Sequence, residues 1–303
     1  LSTVYLGTSE FAAAVLERLA GAGAHRPALV LTRPDRPAGR GRRLASPPVA
    51  EAARRLGLHL EQPAKINDRS VLELIADAAP QERPTLVICA FGALITEPLL
   101  SAYEIINVHP SLLPRWRGAA PVERAIMAGD RETGVSIMRL TAGLDAGPVC
   151  LQAAEPIGAE DDYGSLAGRL ELLAGGLLVR ALEQAPPFAE QSQEGITYAE
   201  KITGADRLLD PSRPAVELER AVRALHPHIG ARLQLDGYQP LGVKRARLST
   251  QPAPPSGELV AAGESLLLGC RPGALELLEV QPPGGRAMSG ADYLRGHGAG
   301  LRR

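Results

Sequence analysis

The sequence predicts an α/β protein, a doubly wound and mainly parallel sheet followed by a small β-barrel. Three observations lead there. Apolar strand-like runs alternate with helical patterns through the first 185 residues. A polar stretch holding Pro186, Pro187, Gly195 and Gly204 then interrupts the chain. Beyond it, short strand-like runs are broken by turn residues at regular intervals. The chain has 303 residues, enough for two domains. We read 1–185 as the first domain, 186–205 as a linker and 206–303 as the barrel.

The first domain opens with a strand at Val4–Leu6. It passes through Gly7 and Thr8 into a helix from about Ser9 to Ala20. Phe11, Val15, Leu16 and Leu19 fall on one face of that helix, and Ser9 suits its N-cap. A strand at Ala28–Leu31 leads into Thr32–Pro47, expected to be a loop without secondary structure. A helix over 48–56 stops at Gly57. A short strand at Leu58–Leu60, a helix at Val71–Ala78 and a strong strand at Leu86–Ala90 come next. Another strand, containing Ile105, Ile106 and Val108, precedes a helix near Pro121–Ala128. Strands near Gly134–Leu140 and Val149–Ala153 and a long helix at about Tyr163–Gln184 complete the alternation. After the linker, a short helix is expected at Ala215–Leu225. Strands follow, punctuated at Asp236-Gly237, Pro254-Pro255-Ser256-Gly257, Pro272-Gly273 and Pro282-Pro283-Gly284-Gly285.

Hydrophobic residues make up 45% and charged residues 22% of the chain, and its net charge is −1. That composition is ordinary for a globular protein and excludes a generally basic nucleic-acid binder, though not a local basic patch. Cys89, Cys150 and Cys270 are far apart and match no metal spacing. Cys89 and Cys150 lie in apolar runs and read as inert core thiols, which suits a reducing cytoplasm. No apolar run reaches transmembrane length, and the chain opens directly on a strand, so no signal peptide is expected. Dinucleotide and P-loop signatures are absent.

The most informative segment is Asn107-Val108-His109-Pro110-Ser111-Leu112-Leu113-Pro114-Arg115-Trp116-Arg117-Gly118. Alternate strand side chains share a face, so Asn107 and His109 point the same way while Val108 packs inward. Pro110 cannot extend the ladder, which puts both polar groups at the strand's C-terminal end, where open α/β sheets bind ligands. Asp145 sits in Ala142-Gly143-Leu144-Asp145-Ala146-Gly147, whose glycines allow close backbone approach. Taken singly, Asp145 reads as a turn former and Asn107 and His109 as caps. Together they fit acyl transfer to an amine. The Asn107 amide and a His109 ring N–H can donate to a tetrahedral oxyanion. Asp145 can take the amine's proton, directly or through water, and orient the imidazole. No Ser or Cys nucleophile is needed.

The Asn107–Gly118 segment resembles the active-site signature of the folate-dependent formyltransferases. In that family an Asn, a His two residues on, a Ser-Leu-Leu-Pro run and a distant Gly-Leu-Asp-x-Gly loop occur together. They match here at Asn107, His109, Ser111, Leu112, Leu113, Pro114, Gly143, Leu144 and Asp145. Leu113–Pro121, Arg33–Gly41 and Thr197–Ile202 resemble the members that act on initiator tRNA. The resemblance covers nearly the whole chain and is looser after residue 200. It implies a formyltransferase-type, Rossmann-like catalytic domain over 1–185 and an OB-like tRNA-binding barrel over 206–303. It implies transfer of the formyl group of 10-formyltetrahydrofolate to the α-amine of methionyl initiator tRNA, supporting translation initiation, with no metal. The folate is expected along Cys89, Ala90, Phe91, Gly92, Leu94 and Ile95 and beside Ser111–Pro114, Gly143 and Leu144. A monomer is expected, with no membrane partner.

The 33–43 loop carries Arg33, Arg36, Arg40, Arg42 and Arg43 against Asp35, a local balance of +4. Arginine suits bidentate phosphate contact, and a loop of this length is often functional, although charge runs are commonly just solvated. By the resemblance this insertion enters the tRNA acceptor end, with Arg42 or Arg43 the candidates for base contact. Trp116, the single tryptophan, lies between Arg115 and Arg117. It reads either as core or, given its basic neighbours, as a group near the terminal nucleotides. Lys244, Arg245 and Arg247 are expected on a barrel strand, with Lys244 and Arg245 contacting tRNA. His226 and His228 stand where the family has aromatic residues, and they read as packing or surface groups. A formyltransferase acting on a nucleotide-linked amino sugar is the alternative enzyme, and a tRNA- or folate-binding protein without catalysis is the non-enzymatic one. The sugar enzymes would not need the arginine-rich loop, and the complete Asn107, His109 and Asp145 set argues against lost catalysis.

Overall fold

The computed structural model describes residues 2–38, 43–234 and 239–297, with the side chains of Ala38 and Arg43 outside that description. The chain divides into two compact units. The first holds Leu1–Gly118, Thr133–Pro156 and Ala167–Tyr198, and the second holds Ala119–Glu132, Ile157–Leu166 and Ala199–Arg303.

In the first unit β1 (Thr3–Gly7) is wholly buried. It leads to α1 (Glu10–Gly21), where the Ser9 hydroxyl caps the helix by accepting the Ala12 N–H at 3.2 Å. The predicted face, Phe11, Val15, Leu16 and Leu19, is the buried one. After β2 (Leu29–Leu31), the segment expected to be an unstructured loop instead contains a ribbon. There β3 (Arg36–Ala38) pairs antiparallel with β4 (Arg43–Ala45). Pro37 hides the strand in the sequence, yet a two-stranded ribbon has outer edges where a missing N–H costs nothing. The ribbon's base is pinned. The Ser46 hydroxyl donates to Asp35 Oδ2 at 2.9 Å and Gln62 Nε2 donates to Asp35 Oδ1 at 2.8 Å. These bonds hold the Asp35 carboxyl below its usual range.

The alternation continues through α2 (Pro48–Arg55), β5 (Leu60–Glu61), α3 (Arg69–Ala78) and β6 (Thr85–Cys89). A single-turn helix, α4 (Leu99–Ala102), precedes β7 (Ile105–His109), and β8 (Arg117–Gly118) follows. Next come α5 (Pro121–Ala128), β9 (Glu132–Arg139), β10 (Val149–Pro156) and α6 (Tyr163–Gln184). The main sheet has the order β10-β9-β7-β6-β1-β2-β5. β7, β6, β1, β2 and β5 run parallel, while β9 is antiparallel to β7. From β1 the chain steps outward to β2 and β5, then returns to lay β6 on the other side of β1. The order therefore reverses between β1 and β6, which is where open α/β sheets form their ligand crevice. The central strands are apolar on both faces because helices cover both.

The second unit contains α5 and a curled sheet. The first unit closes at Tyr198, in β11 (Tyr198–Ala199); in the second, β12 (Leu208–Leu209) and α7 (Ala215–Leu225) follow. The remaining strands are β13 (Ala231–Leu233), β14 (Leu241–Leu248), β15 (Leu259–Ala262), β16 (Ser265–Gly269), β17 (Ala274–Gln281) and β18 (Met288–Ser289). Their order is β12-β13-β14-β17-β16-β15, with β18 on β17, and only β12 and β13 are parallel. Irregular register between Val243 and Ala246 marks bulges, which bend a strand and raise its twist. Leu218, Val222 and Leu225 of α7 pack with Leu233, Val243, Leu268 and Leu277 in this unit's core. A final helix, α8 (Gly290–His297), was not expected from sequence; it is short, and within it only Gly290 and Tyr293 are buried.

Among the described residues no helix is long and apolar enough to cross a membrane. Cys89 and Cys270 are buried, whereas Cys150, expected in the core, is only half-buried. Cys150 is the second residue of β10, an edge strand whose first residues are half-covered.

Candidate active site

The end of β7 carries both polar groups of the signature. Asn107 is 9% exposed and His109 4% exposed, so both are lodged in the protein. They converge on Asp145, which lies between β9 and β10. Asn107 Nδ2 donates to Asp145 Oδ1 at 3.3 Å, and His109 Nδ1 lies 3.7 Å from Oδ2. The Gly118 N–H donates to Oδ2 at 2.8 Å. Asp145 has a φ of +42°, a left-handed conformation that costs a non-glycine residue about 1–2 kcal/mol. Gly147 is required by space: a Cβ there would lie 2.0 Å from the Arg139 carbonyl oxygen.

His109 Nε2 lies 2.8 Å from the Trp116 carbonyl oxygen. A carbonyl only accepts, so Nε2 carries the hydrogen and donates it. The ring nitrogen that remains for chemistry is Nδ1, beside Asp145. Trp116 reaches this position with a φ of +62°. Its N–H donates to Thr197 Oγ1 and the Arg117 N–H donates to the Thr197 carbonyl, each at 2.9 Å. Arg115 lies over the half-buried Trp116 ring, 4.4 Å from its centroid.

The Ser-Leu-Leu-Pro run is held from beneath. Ser136, wholly buried on β9, accepts the Leu113 N–H at 3.1 Å and donates to the Ser111 carbonyl at 2.6 Å. Gln152 Nε2 donates to the Leu113 carbonyl at 2.8 Å. The Ser111 hydroxyl, also buried, donates to the Arg115 carbonyl. Ser111 and Leu113 thus shape this loop, while Leu112 and Pro114 are half-buried.

At the crevice between β1 and β6, the Thr8 hydroxyl donates to the Phe91 carbonyl at 2.7 Å. Ala90 and Gly92 both have positive φ, 43° and 71°, which turns the backbone sharply after Cys89. Phe91 and Ile95 face inward, at 4% and 8% exposure, and Leu94 stands outside at 77%. Leu144, beside Asp145, is 60% exposed, and Gly143 is open to solvent. Burial pushes the Cys89 thiol up to about 12, so it is an inert thiol.

The arginines separate. Arg33 donates to the Gly92 carbonyl at 2.7 Å, so its guanidinium supports the β6 turn. Arg36 is exposed on the ribbon. Arg40 and Arg42, the Arg43 side chain, the turn at Asp236–Gly237 and the terminal arginines lie outside the described residues. In the second unit Lys244 and Arg245 line a cleft of about 940 Å³ together with Arg220, Arg223 and Arg247. Arg247 is paired with Glu276 at 2.7 Å. His228 stacks on Tyr163 and lies 3.0 Å from Glu123, which makes it a packing group. Among the described residues no three His, Cys, Asp or Glu side chains come together as metal ligands.

Sequence reasoning missed Gln191, Thr197 as a backbone support, Ser136 and Gln152. Gln191 and Thr197 lie in the polar stretch read as a connector, where only a buried glutamine among turn residues could have signalled a role.

A model of the formyl transferase family matches residues 2–182, and one of the formyl transferase C-terminal domain matches residues 201–298. A Halorhodospira halophila protein named methionyl-tRNA formyltransferase is 44% identical over 301 residues, covering 97% of this chain and 95% of that one. The protein of the same name from Methylococcus capsulatus is 41% identical over 310 residues, covering 99% and 98%. The fold resembles that of HypX from Aquifex aeolicus in complex with tetrahydrofolic acid. The TM-score is 0.62 at 18% identity, over 99% of this chain and 48% of the other.

Proposed function

The chain belongs to the formyl transferase family, and on that premise we propose that it formylates the α-amino group of methionyl initiator tRNA from 10-formyltetrahydrofolate, supporting translation initiation. The observation that carries the chemistry is the convergence of Asn107, His109 and the Gly118 N–H on the single carboxylate of Asp145. The choice of acceptor rests on relatives alike over almost their full length.

The crevice residues suit a flat, partly apolar co-substrate. Leu94 and Leu144 leave large apolar groups in water, and the turn at Ala90–Gly92 displays peptide groups beside them. Cys89–Ile95 and Gly143–Leu144 would hold the folate, which supplies the formyl group. The remaining steps belong to the protein. Asp145 accepts the proton that the attacking amine loses. Asn107 Nδ2 donates to the negative charge gathering on the formyl oxygen, and His109 adds a second donor at Nδ1 only when that nitrogen also carries a proton. The Trp116 carbonyl fixes the imidazole so that Nδ1 stays turned to Asp145. In this reading Arg36, Arg40, Arg42, Arg43, Lys244 and Arg245 contact tRNA phosphates, and Arg33 acts through the β6 turn. Three unpaired thiols suit a cytoplasmic enzyme.

The test is formyl transfer from 10-formyltetrahydrofolate to methionine-charged initiator tRNA, with a nucleotide-linked amino sugar as parallel acceptor. Transfer to the tRNA is expected. Transfer to the sugar alone would keep the catalytic trio and overturn the acceptor.

A further inference from the structure

Gln191 is 8% exposed, and every hydrogen-bonding group of its side chain is engaged. Its Nε2 donates to the Asp145 carbonyl at 2.8 Å and to the Gly147 carbonyl at 2.7 Å. Its Oε1 accepts from Arg117 Nε at 3.1 Å and Nη2 at 2.7 Å. Arg117 is itself buried, at 7% exposure, so the amide cannot rotate without stranding a guanidinium and two carbonyls away from water.

We propose that Gln191 is a positioning residue for the reaction: clamped by Arg117, it holds the Asp145 loop in the strained conformation that presents the carboxylate to Asn107 and His109. This rests on the reading of Asp145 as proton acceptor. A non-glycine residue at φ +42° persists only where its surroundings over-determine it. The Asp145 carboxylate is fixed from one side by Asn107 and Gly118, but those bonds do not fix the peptide units that follow it. Gln191 fixes them on both sides of Ala146. The arrangement also ties the site to β8, because the N–H of Gly118, next to Arg117, reaches the same carboxylate.

Two variants test this. Gln191→Glu keeps an acceptor for Arg117 but loses the N–H donors, turning a carboxylate oxygen towards two carbonyls. Gln191→Met keeps the volume and loses both roles. Single-turnover formyl transfer is measured with each, together with amide exchange across residues 118–147. The expected result is a rate about 100-fold lower with full amplitude, KM for tRNA within about two-fold, and faster exchange confined to the Gly118 and Asp145–Gly147 amides. A wild-type rate would overturn the proposal. So would a reduced amplitude with an unchanged rate, or exchange quickened throughout β6 and β7, since these mark loss of folded protein. The exchange readout needs no acceptor. Wild-type protein that fails to use the tRNA would sink the proposed function, and local exchange would still decide whether Gln191 holds the loop.

Discussion

Asp145 is the residue on which the site turns. Its carboxylate receives an amide, a backbone N–H and the edge of an imidazole. Asp145→Asn keeps the shape and removes the proton acceptor. Turnover should fall by at least about 100-fold, while tRNA affinity, read by filter binding, stays nearly unchanged. Turnover near the wild-type value would remove Asp145 from that role. Gly147→Ala acts through space alone. Its Cβ would meet the Arg139 carbonyl oxygen at 2.0 Å and Thr141 Cγ2 at 3.0 Å, so the loop must shift. Thermal unfolding should report a loss of about 1–3 kcal/mol, with turnover falling in parallel. The Asn107 and His109 placement was legible because strand alternation is a local property of two residues. The ring nitrogen left for chemistry was not. It depends on the Trp116 carbonyl, seven residues further on and beyond a turn.

At the scale of elements, two features carry predictions. In the second unit α5 is tied to the segment before β12 through Arg124, whose Nη1 lies 2.7 Å from Asp206 Oδ1. Burial alone would raise the Asp206 carboxyl. The hydrogen bond from Arg124, those from Thr203 and the Arg124 charge outweigh it and bring the carboxyl down to about 2. A depressed folded value stabilises above the unfolded value, near 4, and that stabilisation is lost as pH falls towards 2. Asp206→Asn should therefore cost about 2 kcal/mol near neutrality, with the gap closing between about pH 4 and 2 in urea melts. A pH-independent gap would assign the loss to packing. The β3–β4 ribbon carries the second prediction. Replacing Arg42 and Arg43 with Ala should flatten the dependence of log K for tRNA on log salt by roughly 0.7–0.9 per lost phosphate contact. An unchanged slope would mark the ribbon's charges as merely solvated. The helices α5, α6 and α7 were legible to their ends, because Pro and Gly punctuate them and their apolar faces recur. The ribbon was not, since Pro37 and the glycines beside it mask a strand that only its partner stabilises.

Across the whole molecule, burial protects the thiols. It pushes Cys89 up to about 12, Cys270 up to about 11 and half-buried Cys150 upwards as well. Native protein at pH 8 should leave all three nearly unreacted with a thiol reagent, and urea should release three. Rapid labelling of native protein would contradict that burial. The α/β alternation, the second sheet and the Asn107–His109 pair were readable because each rests on periodicity or on spacing of a few residues, whereas Asp145, 38 residues from Asn107, was joined to the pair only through the family resemblance and the reaction the three fit. Thr8 on Phe91, Ser136 beneath Leu113 and Gln191 behind Asp145 were not readable. Each joins groups 23 to 83 residues apart. The sequence by itself determined the principal strands and helices, though not the β3–β4 ribbon or α8, and which side chains stand at the end of β7. Only the tertiary structure decided which buried polar groups satisfy one another, since such a partner is set by where strand order brings two segments together.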